Sequence, residues 1–519
     1  MTAQREWWRG ATLYQIYPRS FADSNGDGVG DLKGVIQHLD YVARLGVDGI
    51  WLSPFFPSPM KDFGYDISDY RGVDPVFGSL DDFRALVREC RRLGLRLVID
   101  QVYSHSSDQH PWFIESAASR EGPKSDWYVW ADPKPDGGPP SNWLGRFGGY
   151  AWEWSPTRQQ YYLHNFLIEQ PDLNLHNPAV QAEVLDIMRY WFDLGVDGLR
   201  LDVANFFMHD PALRDNPSAA LKETPSNPYY MQSHVYDRSR PENLPFLARM
   251  RDVAEAAGER MLLAEISCDW QVRRMAEYTT SGRLHTAYSF ELQGPRVDGR
   301  HIAATVLAAG AGDSWPTWSF SSHDVRRVAS RWDAEENPTR LRMLQALLLC
   351  LRGTVILYQG EELGLPHVDV PRERLRDPES IRFWPNHRGR DGARTPMPWR
   401  EKGVSLGFST VDGWLPVGSS HAALAVSRQE ADARSQLAHC RRLIALRRQE
   451  PALQTGSFEP ITQEPDFLAF HRVHEASRVI CAFNLGVAPR AFAPTGELLA
   501  GHLTDGLLAA GDYVVLRSP

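Results

Sequence analysis

The sequence predicts an α/β protein, a (β/α)8 TIM barrel with a loop-rich insertion after its third strand and a C-terminal antiparallel β-domain. Three observations predict it. An amphipathic helix ending in Leu-Gly and followed by a short apolar run recurs at 41–54, 90–100 and 191–202. The glycine supplies a left-handed C-cap, and the apolar run reads as a strand covered on both faces. Next, strand candidates at 12–18, 49–54, 95–102, 198–204, 261–266, 285–290, 317–323 and 354–359 alternate with helical patterns, among them 79–93, 178–194, 243–257 and 339–352. Such alternation means a parallel sheet with right-handed crossovers, and a doubly wound open sheet normally has fewer units. Finally, two stretches break the alternation just after strand ends, where a barrel builds its active site.

The first of these, 104–170, is rich in Trp, Pro, Gly and Tyr and lacks helical period; the second, 205–242, carries Pro211, Pro217, Pro225 and Pro228. The barrel then occupies 1–103 and 171–450, the insertion 104–170 with a smaller excursion at 205–242, and the C-terminal domain 451–519. In the last, 467–470, 479–483 and 513–516 read as strands, after a helix-like 434–449.

A chain of 519 residues suits two or three domains, and 43% hydrophobic with 23% charged residues suits a large buried core. The formal charge of −9 without a basic block argues against nucleic-acid partners. Cys90, Cys268, Cys350, Cys440 and Cys481 are scattered, odd in number and lack CxxC spacing. That argues against a disulfide framework or a zinc site and predicts a reducing, cytoplasmic setting. Residues 1–10 contain no apolar stretch of the signal-peptide kind, and the longest apolar run, near 344–351, is too short to span a bilayer. No membrane partner is expected, and the chain is expected to be a monomer or homodimer. The 17 Trp, 18 Tyr and 22 Phe fit a large core, and their faces also suit the packing of sugar rings.

The strand ends carry the polar residues. Asp100 ends the third predicted strand, Arg200 and Asp202 the fourth, Glu265 the fifth, and His323 with Asp324 the seventh. Several buried carboxylates at one rim require a function, a metal or an ion-pair network around Arg200. With no candidate Ser–His or Cys–His arrangement, the set favours acid/base chemistry at an acetal. A retaining glycosidase needs two carboxyls about 5–5.5 Å apart, which the tips of adjacent strands can supply. Arg200 lies two residues before Asp202, hence on the same side of the strand, and its guanidinium would keep a nucleophile ionised. Glu265, less clearly paired, would hold its proton and serve as the acid.

The stretch 23–31 reads Asp-Ser-Asn-Gly-Asp-Gly-Val-Gly-Asp. Oxygen ligands at positions 1, 3 and 5 (Asp23, Asn25, Asp27), glycine at 6 and Asp31 at 9 match the first part of a calcium loop, whereas Gly34 at position 12 excludes an EF-hand. The other reading is a polar turn rich in Asn-Gly and Asp-Gly.

The segments DQVYSH (100–105), GLRLD (198–202), AEI (264–266), FSSHD (320–324), QPDLN (170–174) and GTVILYQGEE (353–362) run in one order along the chain. Together they resemble the α-amylase superfamily, glycoside hydrolase family 13, and most closely its α-glucosidase and oligo-1,6-glucosidase branch. The resemblance implies Asp202 as nucleophile, Glu265 as general acid/base and Asp324 as the carboxylate gripping the sugar's 2- and 3-hydroxyls. It implies that His105 and His323 hydrogen-bond the same glucose, that Asp62 and Tyr65 form its floor, and that Arg394 pairs with Asp62 to cap the non-reducing end. It places Phe147 and Phe166 at the mouth, and it implies structural Ca2+ or Mg2+ held by Asp23, Asn25, Asp27, the Val29 carbonyl and Asp31, with no organic cofactor. The implied activity is that of an exo-acting retaining α-glucosidase on short α-1,4- or α-1,6-linked oligosaccharides, with possible transglucosylation. Sucrose- and trehalose-converting relatives share these motifs. Non-catalytic relatives attached to transporters usually lose the carboxylates, and this chain keeps all three. Ser322 and Ala264 depart from the usual Asn and Gly of the branch; Val203, after the nucleophile, tends to accompany α-1,6 preference, but its Val-Ala-Asn setting leaves the linkage open.

Overall fold

The computed structural model describes residues 6–387, 389–475 and 477–518; part of the N-terminal stretch read above lies outside them. The barrel starts with β1 (Thr12–Ile16), β2 (Gly49–Leu52) and β3 (Arg96–Gln101). The insertion holds β4 (Trp130–Ala131), β5 (Trp152–Ser155) and β6 (Gln160–Leu163). The barrel then continues with β7 (Gly198–Leu201), β8 (Met261–Ile266), β9 (Thr286–Ser289), β10 (Thr317–Ser319) and β11 (Thr354–Tyr358). Its parallel order is β10-β11-β1-β2-β3-β7-β8-β9. The ring closes where Ala287 bridges Pro316 and the Thr286 hydroxyl donates to the Trp315 carbonyl at 2.8 Å.

The recurring Leu-Gly ends are helix stops. Gly46 (φ 87°) and Gly94 (φ 71°) adopt the left-handed conformation that the next strand requires. Helix Leu80–Leu93 begins in a capping box between Ser79 and Asp82 and buries Phe83, Leu86, Val87 and Cys90 against the barrel. Helix Pro338–Cys350 buries the apolar run at 344–351. Among the described residues no helix is long and apolar enough to cross a membrane.

Most of the barrel strands are a residue or two shorter than expected, and two stop at least three residues early. The strand at 198–204 stops at Leu201, because Val203 takes φ 33° and starts a 3-10 turn, Ala204–Phe206. The strand at 317–323 stops at Ser319, whose hydroxyl donates to the Ser321 carbonyl at 3.1 Å and turns the chain. His323 and Asp324 therefore stand on a loop. The insertion is also more regular than its sequence suggests. It contains helix Pro111–Ala118, started by a proline with preset φ and by His110 Nδ1 accepting from the Trp112 amide at 3.1 Å, and a three-stranded sheet, β4-β6-β5.

At the C-terminus, β12 (Ser457–Glu464), β13 (Phe467–His474), β14 (Ser477–Asn484), β15 (Arg490–Ala491), β16 (Glu497–Gly501), β17 (Leu507–Leu508) and β18 (Tyr513–Arg517) form the antiparallel sheets β12-β13-β14-β18-β16 and β15-β17. Buried Arg472 ties the larger sheet to the barrel by donating to the Cys350 carbonyl at 2.6 Å, one of the orphan acceptors at a helix C-terminus.

Candidate active site

A cavity of about 690 Å³ opens at the carboxyl ends of the barrel strands. Asp202, Glu265 and Asp324 lie in its floor; the insertion contributes Arg146, Phe147 and Phe166, the excursion contributes Phe206, Tyr229 and Tyr230, and the chain past β11 contributes Glu379 and Arg390.

Arg200 organises the floor. Fully buried in β7, it donates from Nη1 to Asp100 Oδ1 and to Asp202 Oδ1, both at 2.6 Å, and from Nη2 to Glu265 and to the Tyr288 hydroxyl, the latter at 2.8 Å. Glu265 is thus bonded to Arg200 as firmly as Asp202 is, contrary to the sequence expectation of a less paired acid. What separates the two is their surroundings. Burial, with the negative charges of Asp202 and Asp324 and against the pull of Arg200, pushes Glu265 well above the ordinary carboxyl range. Asp202 is also raised by burial, but Arg200 and a hydrogen bond with Glu265 pull it back. Of the two, Glu265 holds the proton. The amide of Val203 also donates to Glu265 Oε2 at 3.2 Å, across a left-handed backbone that a β-branched residue rarely adopts.

Burial would raise Asp324 as well, yet His323, Arg394 and Arg390 hold it well below its usual value, so it is ionised. Arg394 Nη2 donates to Asp324 Oδ1 at 3.0 Å, and its Nε donates to the His323 carbonyl at 2.8 Å. His323 is kept neutral by burial, its pKa lowered to about 3. Gln15 Nε2 donates to its Nδ1 at 2.8 Å, so Nε2 carries the hydrogen and faces the Tyr65 hydroxyl at 2.5 Å and Asp324 Oδ2 at 3.2 Å. His105, lowered to about 4 by burial, donates from Nε2 to the Tyr65 carbonyl at 3.1 Å.

Of the residues expected to touch substrate, Asp62, Tyr65, His105, Phe147 and Phe166 line the cavity with the three catalytic candidates. Arg200, His323 and Arg394 do not; each is fully buried behind the carboxylates or Tyr65 and acts on them. The expected Asp62–Arg394 pair is replaced. Arg390 Nη2 donates to Asp62 Oδ1 at 2.7 Å, and Asp377, which accepts from Arg390 Nη2 at 2.7 Å and Nε at 3.0 Å, holds that guanidinium in place. Arg394 is drawn four residues further on, to Asp324. Arg390 also lies 5.2 Å from the centre of the Phe147 ring. Sequence reasoning passed over Arg390, Arg146, Tyr229, Phe206 and Glu379. Only Arg390 left a signal, a second arginine within the same GRDGAR motif.

The loop 23–31 offers hard oxygen donors of the kind calcium takes. Asp23 accepts from the amides of Asn25, Gly26 and Gly28 and from the Ser409 hydroxyl. Asp27 accepts from the Val29 amide, and Asp31 accepts from Ser24 and caps the next helix through the Gly34 amide. Among the described residues no three of His, Cys, Asp and Glu converge as a metal cluster. The residue types fit a hard cation, while the carboxylates of Asp23 and Asp31 are here spent on the loop itself.

The profile described as Alpha amylase, catalytic domain, matches residues 15–456. The chain belongs to this family. Within the α-amylase family, it is 50% identical over 494 residues to a probable alpha-glucosidase of Rhizobium meliloti, covering 93% of this chain and 90% of that one. It is 35% identical to an oligo-1,6-glucosidase of Heyndrickxia coagulans, covering 96% of both. The crystal structure of an alpha-glucosyl transfer enzyme, XgtA, superposes with a TM-score of 0.96 at 50% identity, covering 99% of this chain and 100% of that one.

Proposed function

We propose that this protein is an exo-acting α-glucosidase that removes terminal α-linked glucose from short oligosaccharides by double displacement, with transfer to a second hydroxyl as an alternative to hydrolysis. The observation that carries the reading is that one buried guanidinium, Arg200, bonds both Asp202 and Glu265. Sharing it keeps the two carboxyls close, as a retaining pair at about 5–5.5 Å needs and an inverting pair at about 6.5–9.5 Å does not. Asp202 attacks the anomeric carbon while Glu265 gives its proton to the departing glycosidic oxygen, and a glucosyl ester forms on Asp202. Glu265, now ionised, takes a proton from water or from an acceptor hydroxyl, which attacks the same carbon and restores the α configuration. Asp324, held ionised, accepts hydrogen bonds from ring hydroxyls, and Tyr65 offers its ring as a floor.

The Asp62–Arg390 pair closes the cavity beyond one glucose and favours chain ends over chain interiors. Every guanidinium lining the cavity faces a carboxylate, Arg146 with Glu379 at 2.7 Å, Arg238 with Asp269 at 4.0 Å and Arg390 with Asp62 at 2.7 Å. A neutral acceptor or leaving group suits such a wall better than an anionic one. The relatives named as α-glucosidases and as a glucosyl transfer enzyme support the same reading. The loop at 23–31 is assigned to structural Ca2+ or Mg2+ on the strength of its donor types, and a cytoplasmic setting on its five unpaired cysteines, four of them buried.

The test is product analysis on maltose, isomaltose, sucrose and trehalose, with NMR of the first-formed glucose. α-Glucose released before mutarotation is expected; β-glucose as the first product would overturn the mechanism.

A further inference from the structure

The excursion between β7 and helix Asn243–Ala256 walls one side of the cavity with little backbone structure of its own. The 3-10 turn Pro228–Met231 and a bridge between Ser218 and Gln232 are its regular features among the described residues 211–238. Side chains therefore set its shape, and His234 stands at their centre. His234 Nδ1 lies 2.5 Å from Asp237 Oδ2, and Nε2 lies 2.8 Å from the Tyr229 carbonyl. The imidazole also stacks on the Tyr229 ring, centroids 3.9 Å apart. Arg238 Nη1 donates to the Tyr229 hydroxyl, and its guanidinium sits 5.2 Å from the Phe206 ring, just past Asp202.

A carbonyl only accepts, so Nε2 carries a hydrogen; an ionised carboxylate only accepts, so Nδ1 carries one too. Burial would raise Asp237, but the hydrogen bond and charge of His234, with Arg238, outweigh it and keep the carboxyl below its ordinary range. A neutral imidazole would leave a lone pair facing one of these oxygens. Other charged and titratable groups around this unit include Arg146 from the insertion, 5.7 Å from the Tyr229 ring, Glu379 beside it, Tyr230 against Tyr229, Asp172 just past the insertion, which feels the charge of Asp237, and Asp269 and Cys268 from the loop after β8, both near Arg238.

We propose that His234, held by Asp237, is a positioning residue that pins Tyr229 and with it the wall against which the leaving or accepting sugar sits. Cys268, Asp269 and Gln271 line the cavity just beyond Glu265, and Arg238 joins that loop to the excursion. Glu265 is the group that protonates the departing oxygen, so this end belongs to the departing sugar. The proposal rests on the α-glucosidase reading and adds to it an acceptor wall held in place by the His234–Asp237 pair.

Two substrates separate the two claims. α-D-Glucosyl fluoride has no second sugar and reports the glucose side and the chemistry; maltose also needs the acceptor wall. In the full-length protein, kcat/KM for maltose relative to the fluoride is expected to fall when either member of the His234–Asp237 pair is replaced. Asp237→Asn removes the carboxylate that bonds His234 Nδ1 and leaves the ring that stacks on Tyr229 unpinned. At neutral pH this variant should keep fluoride turnover within about twofold and lose about tenfold on maltose, chiefly in KM, the scale of one charge-assisted hydrogen bond. His234→Gln should give a similarly low ratio, with its unfolding midpoint checked alongside. Unchanged ratios in both variants, or equal losses on the two substrates, would overturn the proposal. A parent that turns over neither substrate would instead overturn the α-glucosidase reading beneath it.

Discussion

Arg390 Nη2 and Asp62 Oδ1 stand 2.7 Å apart at the cavity wall, and Asp377 accepts from the same Nη2 at 2.7 Å and from Nε at 3.0 Å. One arginine thus neutralises two buried carboxylates, and under the proposed function it is the group that limits the pocket to a single glucose. Burial raises Asp62 against the pull of Arg390 and Arg394, so removing Arg390 leaves a carboxyl that protonates or repels its neighbours. Arg390→Ala should lower kcat/KM on disaccharides about a hundredfold or more, mostly through KM, since breaking a buried pair costs about 3–5 kcal/mol. Arg390→Lys should recover only part, because an ammonium cannot serve both carboxylates with a planar fork. Steady-state kinetics on maltose checks both; an alanine variant with parental KM refutes the closed-end assignment.

The two carboxyls on Arg200 should fail differently. Asp202→Asn removes the attacking oxygen and should reduce turnover by several orders of magnitude on every substrate. Glu265→Gln removes the proton donor, worth about a hundredfold to ten-thousandfold, and should remain partly active where the leaving group needs no acid. Comparing maltose with a nitrophenyl glucoside and with glucosyl fluoride reads the difference. Equal losses on all three in Glu265→Gln would remove Glu265 from the acid role.

The alkaline limb of activity should belong to Glu265. Its pKa is raised by burial and nearby negative charge, so activity, which needs the protonated acid, should fall as pH rises through that value. Replacing Asp324 by Asn removes one of the charges raising Glu265 and should move the alkaline limb of the residual kcat/KM to lower pH. A limb that does not move would mean that another group controls it.

The eight strands and the carboxylate rim were legible because both are local: Gly46 and Gly94 end helices within a few residues of β2 and β3, and Asp100, Arg200 and Glu265 are the penultimate residues of β3, β7 and β8. Arg390 was not legible as the partner of Asp62, since the contact spans 328 residues and Arg394 in the same motif is chemically identical. The excursion wall was equally hidden. Tyr229, His234 and Arg238 carry no periodicity, and their roles arise from stacking and from a hydrogen-bond network that no spacing rule encodes. The pairing of Glu265 with Arg200 was missed because two residues on adjacent strands, β7 and β8, meet only once register is fixed.

Behind β11, Glu361 should make stability depend on pH. Burial pushes its carboxyl up to about 8, against a hydrogen bond from the Tyr358 amide and the charge of Arg331. Below the unfolded value of about 4.3 both states bind the proton; above it the unfolded chain releases the proton while the native chain keeps it. Stability should therefore fall by about 1.4 kcal/mol per pH unit from this group until pH passes its folded value, after which the loss is complete. Glu361→Gln should flatten that part of the profile in denaturant titrations from acid to mildly alkaline pH. An unchanged slope would show that Glu361 ionises normally.

Calcium gives the last test. The loop at 23–31 packs on the segment after β11: Asp23 accepts from Ser409, and the Gly28 carbonyl accepts from the Trp414 amide at 2.9 Å. The Trp414 ring in turn lies 5.2 Å from Phe63, next to Asp62. A cation bound only by the folded loop should stabilise the protein by about 2.7 kcal/mol at a hundred times its dissociation constant, and chelation should lower Tm accordingly. Among the described residues Asp27 accepts from the Val29 amide and the Asn25 side chain alone, so Asp27→Asn should abolish the calcium response with little effect on the metal-free Tm. Because no residue of 23–31 lines the cavity, kcat on glucosyl fluoride should be unaffected by chelation below Tm. A Tm indifferent to both calcium and chelator would make the loop a turn satisfied by its own amides, as Asp23 and Asp31 already are.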